Sequence, residues 1–438
     1  MIEAFLTAYD PSDLPGTSID PLGFDRGYNY LADTILPGLT NVAAHPRYFG
    51  LLCAGIQLAS DACMLGPQEQ LQKRQECVLR LERFWALANV FSRPENSNSV
   101  RGVTYAQARV KEIVDAGTVR TTADYPLLLR QAQYGVIGIY GNVADGMRFL
   151  NRSEMALTPA LGEVAADAFI LETEMPPSLQ RAVKDNGEIS VATLKSWGER
   201  AHVDARTQPK EARCISEALH ADPVRSRMAR WLTRTKFAGN ESELDRLARI
   251  VLKLNGTAAN RDLLQAINCI LSFEDCYRLV SLAFERLLWL SRYHAGAVTP
   301  LKELRTDSVL KSVISALPGS VSQFRRAVAE ASEGELKLSA EKLNDVSRFL
   351  EESNIAKTTE EMVRAIISRH TDVQHGKFDK GRRKMPWLEI NGTNVSLTIT
   401  RVGGMDSEAV SPEHIGAHPY RLAAADAFIS AAAEETAN

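Results

Sequence analysis

Apolar residues recur at three- and four-residue steps along almost the whole chain, a period that fits helices and little else. From Gln68 to Phe91, Leu71, Val78, Leu81, Trp85 and Ala88 line one face, and Lys73, Arg74, Glu76, Arg80 and Glu82 occupy the other. The same pattern predicts helices at Gly27–Leu36, Arg47–Met64, Pro126–Tyr140, Ala259–Leu271, Glu274–Tyr293, Ser308–Ser315, Val321–Ser332 and Pro419–Ala433. Thr358-Thr359-Glu360-Glu361 opens a further helix that runs to about His370. One region reads as β. Pro386–Ile390 and Asn394–Thr400 flank Asn391-Gly392-Thr393, and an Asn-Gly pair between alternating apolar runs is a strong hairpin signal. The expected fold class is therefore mainly α, multi-helical, with a small C-terminal β-hairpin element.

At 438 residues, two or three domains are expected. Turn formers mark 1–25 as a loop-rich N-terminal arm with five acids and no bases. Breaks in composition then suggest an N-terminal helical domain at 26–186 and a middle one at 187–300. A C-terminal region, 301–438, carries a basic loop, the hairpin and an acidic tail. No fixed-period repeat supports a solenoid.

Charge and cysteine usage exclude several classes. The 51 Lys and Arg nearly balance 54 Asp and Glu, for a net charge of −3, which is not that of a wholly basic nucleic-acid binder. Six cysteines, none in C-x-x-C spacing, argue against both a disulfide scaffold and a zinc knuckle, and read as small buried hydrophobes. The N-terminus lacks a basic cluster and is not expected to be a signal peptide. The most apolar stretch, Tyr48 to Leu65, is interrupted by Gln57 and Asp61, so no membrane span is expected. The expected location is cytoplasmic.

Catalytic motifs are missing from the text. Gly135, Gly138, Gly141 and Gly146 match neither phosphate-loop pattern and read as sites of close helix packing. His370 and His375 are five apart, and His414 and His418 lie in turn-forming text; neither pair has the context of a metal site, and neither metal nor cofactor is expected. A nuclease remains an alternative only if its carboxylates come together from sequence-distant positions. Glu335-Leu336-Lys337 matches part of such a motif outside β context, and the hairpin itself supplies Glu389.

Two basic clusters are better candidates for binding. Arg227, Arg230 and Arg234 fall at i, i+3 and i+7, on one helical face around Trp231, and the planar guanidinium suits phosphate. The second runs from Arg369 to Lys384, where six Lys and Arg against two Asp leave a local charge of +4. There Lys377, Lys380, Arg382, Arg383 and Lys384 are candidate contacts to the backbone of double-stranded DNA, in a helix-plus-wing arrangement. A protein partner, or the acidic tail at 405–438, is an equally open occupant of that loop.

Two further passages carry a resemblance. One is Leu36-Pro37-Gly38-Leu39-Thr40 with Pro46-Arg47-Tyr48-Phe49. The other is Arg369-His370, Val373-Gln374, Lys384, Pro386-Trp387 and His418-Pro419-Tyr420-Arg421. Together they resemble uncharacterised helical proteins encoded in prokaryotic anti-phage defence islands beside ATPases, helicases or nucleases. The motifs cover a small part of the chain. The resemblance implies a non-enzymatic accessory subunit and supplies no catalytic residues. In a docking role, Arg47, Tyr48, Phe49, Trp387, Tyr420 and Arg421 are of the types that anchor interfaces.

Overall fold

The computed structural model describes residues 20–59, 66–96, 98–254, 260–293, 298–379, 382–398 and 410–433, and these are mainly helical with small antiparallel sheets. The helices, in chain order, are α1 (Asp25–Ile35), α2 (Arg47–Gln57), α3 (Pro67–Ser92), α4 (Val103–Asp115), α5 (Gln131–Tyr134), α6 (Val136–Gly146), α7 (Gly162–Glu172), α8 (Pro177–Asp185), α9 (Val191–Ala201), α10 (Pro209–His220), α11 (Pro223–Arg234), α12 (Glu243–Leu254), α13 (Arg261–Tyr293), α14 (Leu301–Leu304), α15 (Ser308–Glu333), α16 (Asn344–Asn354), α17 (Thr359–His375) and α18 (Leu422–Ala433). The strands are β1 (Arg120–Thr121), β2 (Leu150–Asn151), β3 (Ala156–Leu157), β4 (Ile189–Ser190), β5 (Val298–Pro300), β6 (Phe378–Asp379), β7 (Arg382–Arg383), β8 (Leu388–Asn391) and β9 (Asn394–Leu397).

The chain divides into two units. The first comprises Met1–Ile35 and Thr235–Tyr420, the second Leu36–Arg234 and Arg421–Asn438. This differs from the sequential division expected at 186 and 300. Composition marks loops, but it does not register that α1 packs on α13 or that α18 packs on α10 and α11, contacts that close each unit over long sequence separations.

In the second unit, α2 is buried on every side from Arg47 to Ile56, and α3 and α7 pack against it. Tyr48 stacks on Tyr140 at 4.5 Å and meets Trp85 edge-on at 4.7 Å. Each such ring contributes roughly 1.5–3 kcal/mol through burial. The α3–α9 crossing is so close that a Cβ on Gly198 would lie 2.1 Å from the Ala88 carbonyl oxygen. A Cβ on Gly146 would lie 3.0 Å from the Gly38 Cα, a close approach to a turn, whereas one on Gly141 would meet only Arg152 Nε at 3.7 Å, so close helix packing does not account for the glycine run as a whole.

The expected single helix Pro126–Tyr140 is instead α5 and α6, broken at an extended Gly135. The cause is a tertiary contact. Glu82, fully buried on α3, accepts hydrogen bonds from the Val136 N–H at 2.7 Å and from Gln131 Nε2 at 2.7 Å, capping α6 from outside its own sequence. Burial pushes the Glu82 carboxyl up to about 7 against these bonds.

The first unit is organised on α13, one continuous 33-residue helix where two were expected. Ser272 does not end the first of them. Its hydroxyl donates to the Asn268 carbonyl at 2.9 Å and stays within the helix. The helix α15 similarly joins the two helices expected at 308–315 and 321–332, running through Pro318. Pro318 lies on the exposed face of the helix, while Leu317, Val321 and Phe324 remain buried on the other. The hairpin β8–β9 forms, but it turns on Gly392-Thr393, with Gly392 at φ +63°: Asn391, expected in the turn, is the last residue of β8 and pairs with Asn394. Val298–Pro300, read from sequence as a domain break, becomes its third strand, pairing Thr299 with Val395. Residues 399–400, the end of the predicted second strand, lie outside the described residues, as do 1–19 of the arm and 405–409 and 434–438 of the acidic tail.

Five cysteines, Cys53, Cys77, Cys214, Cys269 and Cys276, are free and buried; Cys63 is outside the described residues. Burial holds Cys214 up to about 11 and Cys269 up to about 12, far from thiolate chemistry. Among the described residues, no helix is long and apolar enough to cross a membrane.

Candidate nucleic-acid interface

The helix α17 is capped as its sequence requires, the Thr358 hydroxyl accepting from the Glu361 N–H at 3.2 Å. It runs one turn further than expected, to His375, and then leads through Gly376 into the short ribbon β6–β7. The ribbon is antiparallel, with Phe378 opposite Arg383 and Asp379 opposite Arg382, and is continued by the Lys384 N–H donating to the Lys377 carbonyl at 3.0 Å.

The base of this ribbon is held by His370. Its Nδ1 is 2.9 Å from the Pro21 carbonyl, and its Nε2 is 2.7 Å from the Trp387 N–H. The carbonyl requires a donor at Nδ1 and the amide requires an acceptor at Nε2, so the ring is the neutral Nδ1–H tautomer. Burial is the main cause that pushes its pKa down to about 4; Lys377 adds to the effect and the Pro21 carbonyl opposes it. The Trp387 carbonyl accepts from the Thr398 N–H at 3.0 Å, and Thr398 Oγ1 donates to the Pro386 carbonyl. The segment after the ribbon is thereby tied to both α17 and the β-sheet.

The basic residues of this passage separate into two groups. Arg369 turns inward: it bonds both carboxylate oxygens of Asp345, at 3.0 and 2.6 Å, and donates to the Leu22 carbonyl at 2.9 Å. Lys377 is half-buried, its ammonium on the Asp20 carbonyl, and burial lowers its pKa. One of its three ammonium N–H donors thus already serves the fold, which the sequence does not show. Arg382 and Arg383 are exposed and Lys384 is half-exposed. Lys380 lies outside the described residues.

Around the same ribbon are two groups not singled out in the sequence. Phe378 is 47% exposed and Met385 is 65% exposed. The available signal was an apolar residue at each end of a charged run, with no periodic partner to bury it.

The α11 arginines belong to the second unit. That helix buries Arg225, Met228, Ala229 and Leu232, while Arg230 and Arg234 are exposed and Arg227 is half-buried. The Arg234 guanidinium sits 5.5 Å from the Trp231 ring centre. Arg225 has a structural task, donating to the Ala218, Leu219 and Pro37 carbonyls at 2.7, 3.1 and 2.5 Å.

The residues expected to dock a partner are mostly core residues. Arg47 is buried, donating to the carbonyls of Arg200, His202 and Arg206 and pairing with Glu211 at 2.9 Å. Tyr48 accepts the Arg101 N–H at 2.8 Å, and Phe49 packs among Tyr140, Phe149 and Phe428. Tyr420 donates to Glu274 at 2.6 Å, and that fully buried carboxylate also holds His418 Nδ1 at 2.7 Å. Arg421 is buried and donates to the Leu36 carbonyl at 3.4 Å. Trp387 is half-buried, with its ring 5.5 Å from His370 and 6.1 Å from Phe284. Most of these side chains are thus engaged in packing and chain ties within their own units.

The parts considered for a nuclease do not converge. Glu335 and Lys337 are exposed in a turn after α15, and Glu389 is on β8. Among the described residues, no group of three or more His, Cys, Asp or Glu side chains could hold a metal ion. No protein-family model matches the chain, and no curated protein or solved structure does so either.

Proposed function

We propose that this protein is an accessory, nucleic-acid-binding subunit of a prokaryotic anti-phage defence complex, acting in the cytoplasm beside an ATPase, helicase or nuclease. The observation that carries the binding role is the β6–β7 ribbon: a base tied by His370, Lys377 and Trp387, and a basic edge, Arg382, Arg383 and Lys384, facing water. A fixed base with solvated cations suits phosphate, because such contacts act through charge and geometry and need no reading of base sequence. The defence role rests on the motif resemblance alone.

Changing Arg382, Arg383 and Lys384 together to Ala tests the binding role. Affinity should fall alike for unrelated DNA sequences. The slope of log K against log salt should become less negative by about 0.9 for each phosphate that is no longer neutralised. Stability should change little, because exposed charges typically contribute within about ±0.5 kcal/mol. Unchanged affinity and slope refute the binding role. Co-purification with the products of neighbouring genes tests the complex; a monodisperse monomer that retains none of them refutes it.

A further inference from the structure

The ribbon presents more than charge. In an antiparallel pair, residues directly opposite each other project from the same face with Cβ atoms about 4.5–5.5 Å apart. Phe378 and Arg383 are such a pair, so an aromatic ring nearly half in water stands beside a guanidinium on one face. Arg382 occupies the opposite face, and Met385, 65% exposed, follows Lys384 where the chain leaves the ribbon.

A duplex hides the faces of its bases in the stack and offers a protein mainly phosphates and groove edges. A single strand offers phosphates and open base faces together, and proteins that hold it combine cations along the backbone with aromatic platforms for the bases. We infer that the β6–β7 ribbon takes a single-stranded stretch of nucleic acid, with one base stacked on Phe378 and the adjoining phosphate on Arg383, which shares its face. This deepens the proposed binding role and rests on it. It names the strand state, not the sugar, since DNA and RNA present the same two groups.

The test uses the full chain and fluorescence anisotropy with labelled single-stranded DNA, single-stranded RNA and duplex DNA of equal length. Wild type should bind single strands more tightly than duplex. Phe378→Ala should weaken single-strand binding about tenfold, the scale of one base stack, and leave duplex binding within about twofold. Phe378→Trp should restore single-strand affinity, and its indole emission should be quenched by single strands but not by duplex. Equal wild-type affinity for the two forms, or a Phe378→Ala variant that keeps its single-strand affinity, overturns the inference and leaves the backbone-binding role standing. Binding to neither form overturns both. Tighter binding of RNA than DNA, with the same response to Phe378→Ala, supports the inference and identifies the sugar.

Discussion

Lowering the pH should loosen the base of the wing before the rest of the first unit, through His370. Both ring nitrogens are committed, one to the Pro21 carbonyl and the other to the Trp387 N–H. A second proton can enter only at Nε2, where it would face that N–H and remove its acceptor. The folded-state pKa, about 4, lies below the ordinary 6.5. The contribution is therefore full above pH 6.5 and is lost as the pH falls from about 6.5 towards about 4. Complete protonation costs about 3 kcal/mol, and at pH 5 the loss is about 2 kcal/mol.

The assay is a comparison of wild type with His370→Gln, by chemical denaturation from pH 4 to 7.5. The variant is destabilised at neutral pH, but its deficit should shrink on acidification because wild type alone loses the His370 contribution. Exchange of the Trp387 amide hydrogen should accelerate in the same range, before amides of α13. A site-resolved probe matters because Glu82, in the second unit, responds with the opposite sign. A deficit that does not change with pH, or an imidazole titrating at or above 6.5, refutes the tautomer assignment and the burial argument with it.

Two other outcomes follow from the second unit. The Glu82 carboxyl is raised to about 7, so its charged form opposes folding above that pH and the unit gains stability as the pH falls from about 7 to about 4.5. Glu82→Gln should abolish that dependence, worth up to about 3 kcal/mol, and melting curves at pH 5 and 8 should then differ less than in wild type. Gly198→Ala forces a methyl to within 2.1 Å of the Ala88 carbonyl oxygen, so α3 and α9 must separate. A loss of about 1–3 kcal/mol by thermal melting is expected, and a neutral effect contradicts the close crossing.

The fold class was legible because the helical period survives wherever a helix has a buried stripe. The hairpin was legible because Gly392, between two alternating apolar runs, fills a left-handed turn position at φ +63°; the exact turn was not, since Asn391 ends β8 opposite Asn394 and the turn is Gly392-Thr393. What stayed hidden was tertiary in origin. Nothing local announces that Glu82 caps α6, that Ser272 and Pro318 sit inside continuous helices, or that Val298–Pro300 pairs with a strand almost a hundred residues later. The site was half legible for the same reason. The charge run was plain in the sequence, but which cations face water depends on carbonyls and carboxylates that arrive from Asp20, Leu22 and Asp345. Arg47, Tyr48, Phe49 and Tyr420 show the converse: residue types favoured at interfaces are also those that seal a helical core, and sequence alone does not distinguish the two.

That sorting of cations sets how large the salt effect on the wing should be. From sequence, the passage Arg369–Lys384 carries six positive side chains, which would suggest five or more released counterions on a duplex. Arg369 is paired with Asp345, and Lys377 is held by the Asp20 carbonyl with its charged form disfavoured by burial. Both are engaged in contacts that position the ribbon, so neither is expected to count as a full phosphate contact. Arg382, Arg383 and Lys384 remain, with Lys380 outside the described residues. Charges farther away contribute little, because screening at physiological ionic strength acts over about 8 Å and the chain as a whole carries −3. The slope of log K against log salt for duplex DNA should therefore lie near −3, at about 0.9 for each neutralised phosphate, rather than near −5. A slope much steeper than −4 that persists in the Arg382, Arg383 and Lys384 triple variant would place the principal contact elsewhere, with Arg227, Arg230 and Arg234 of α11 as the next residues to change.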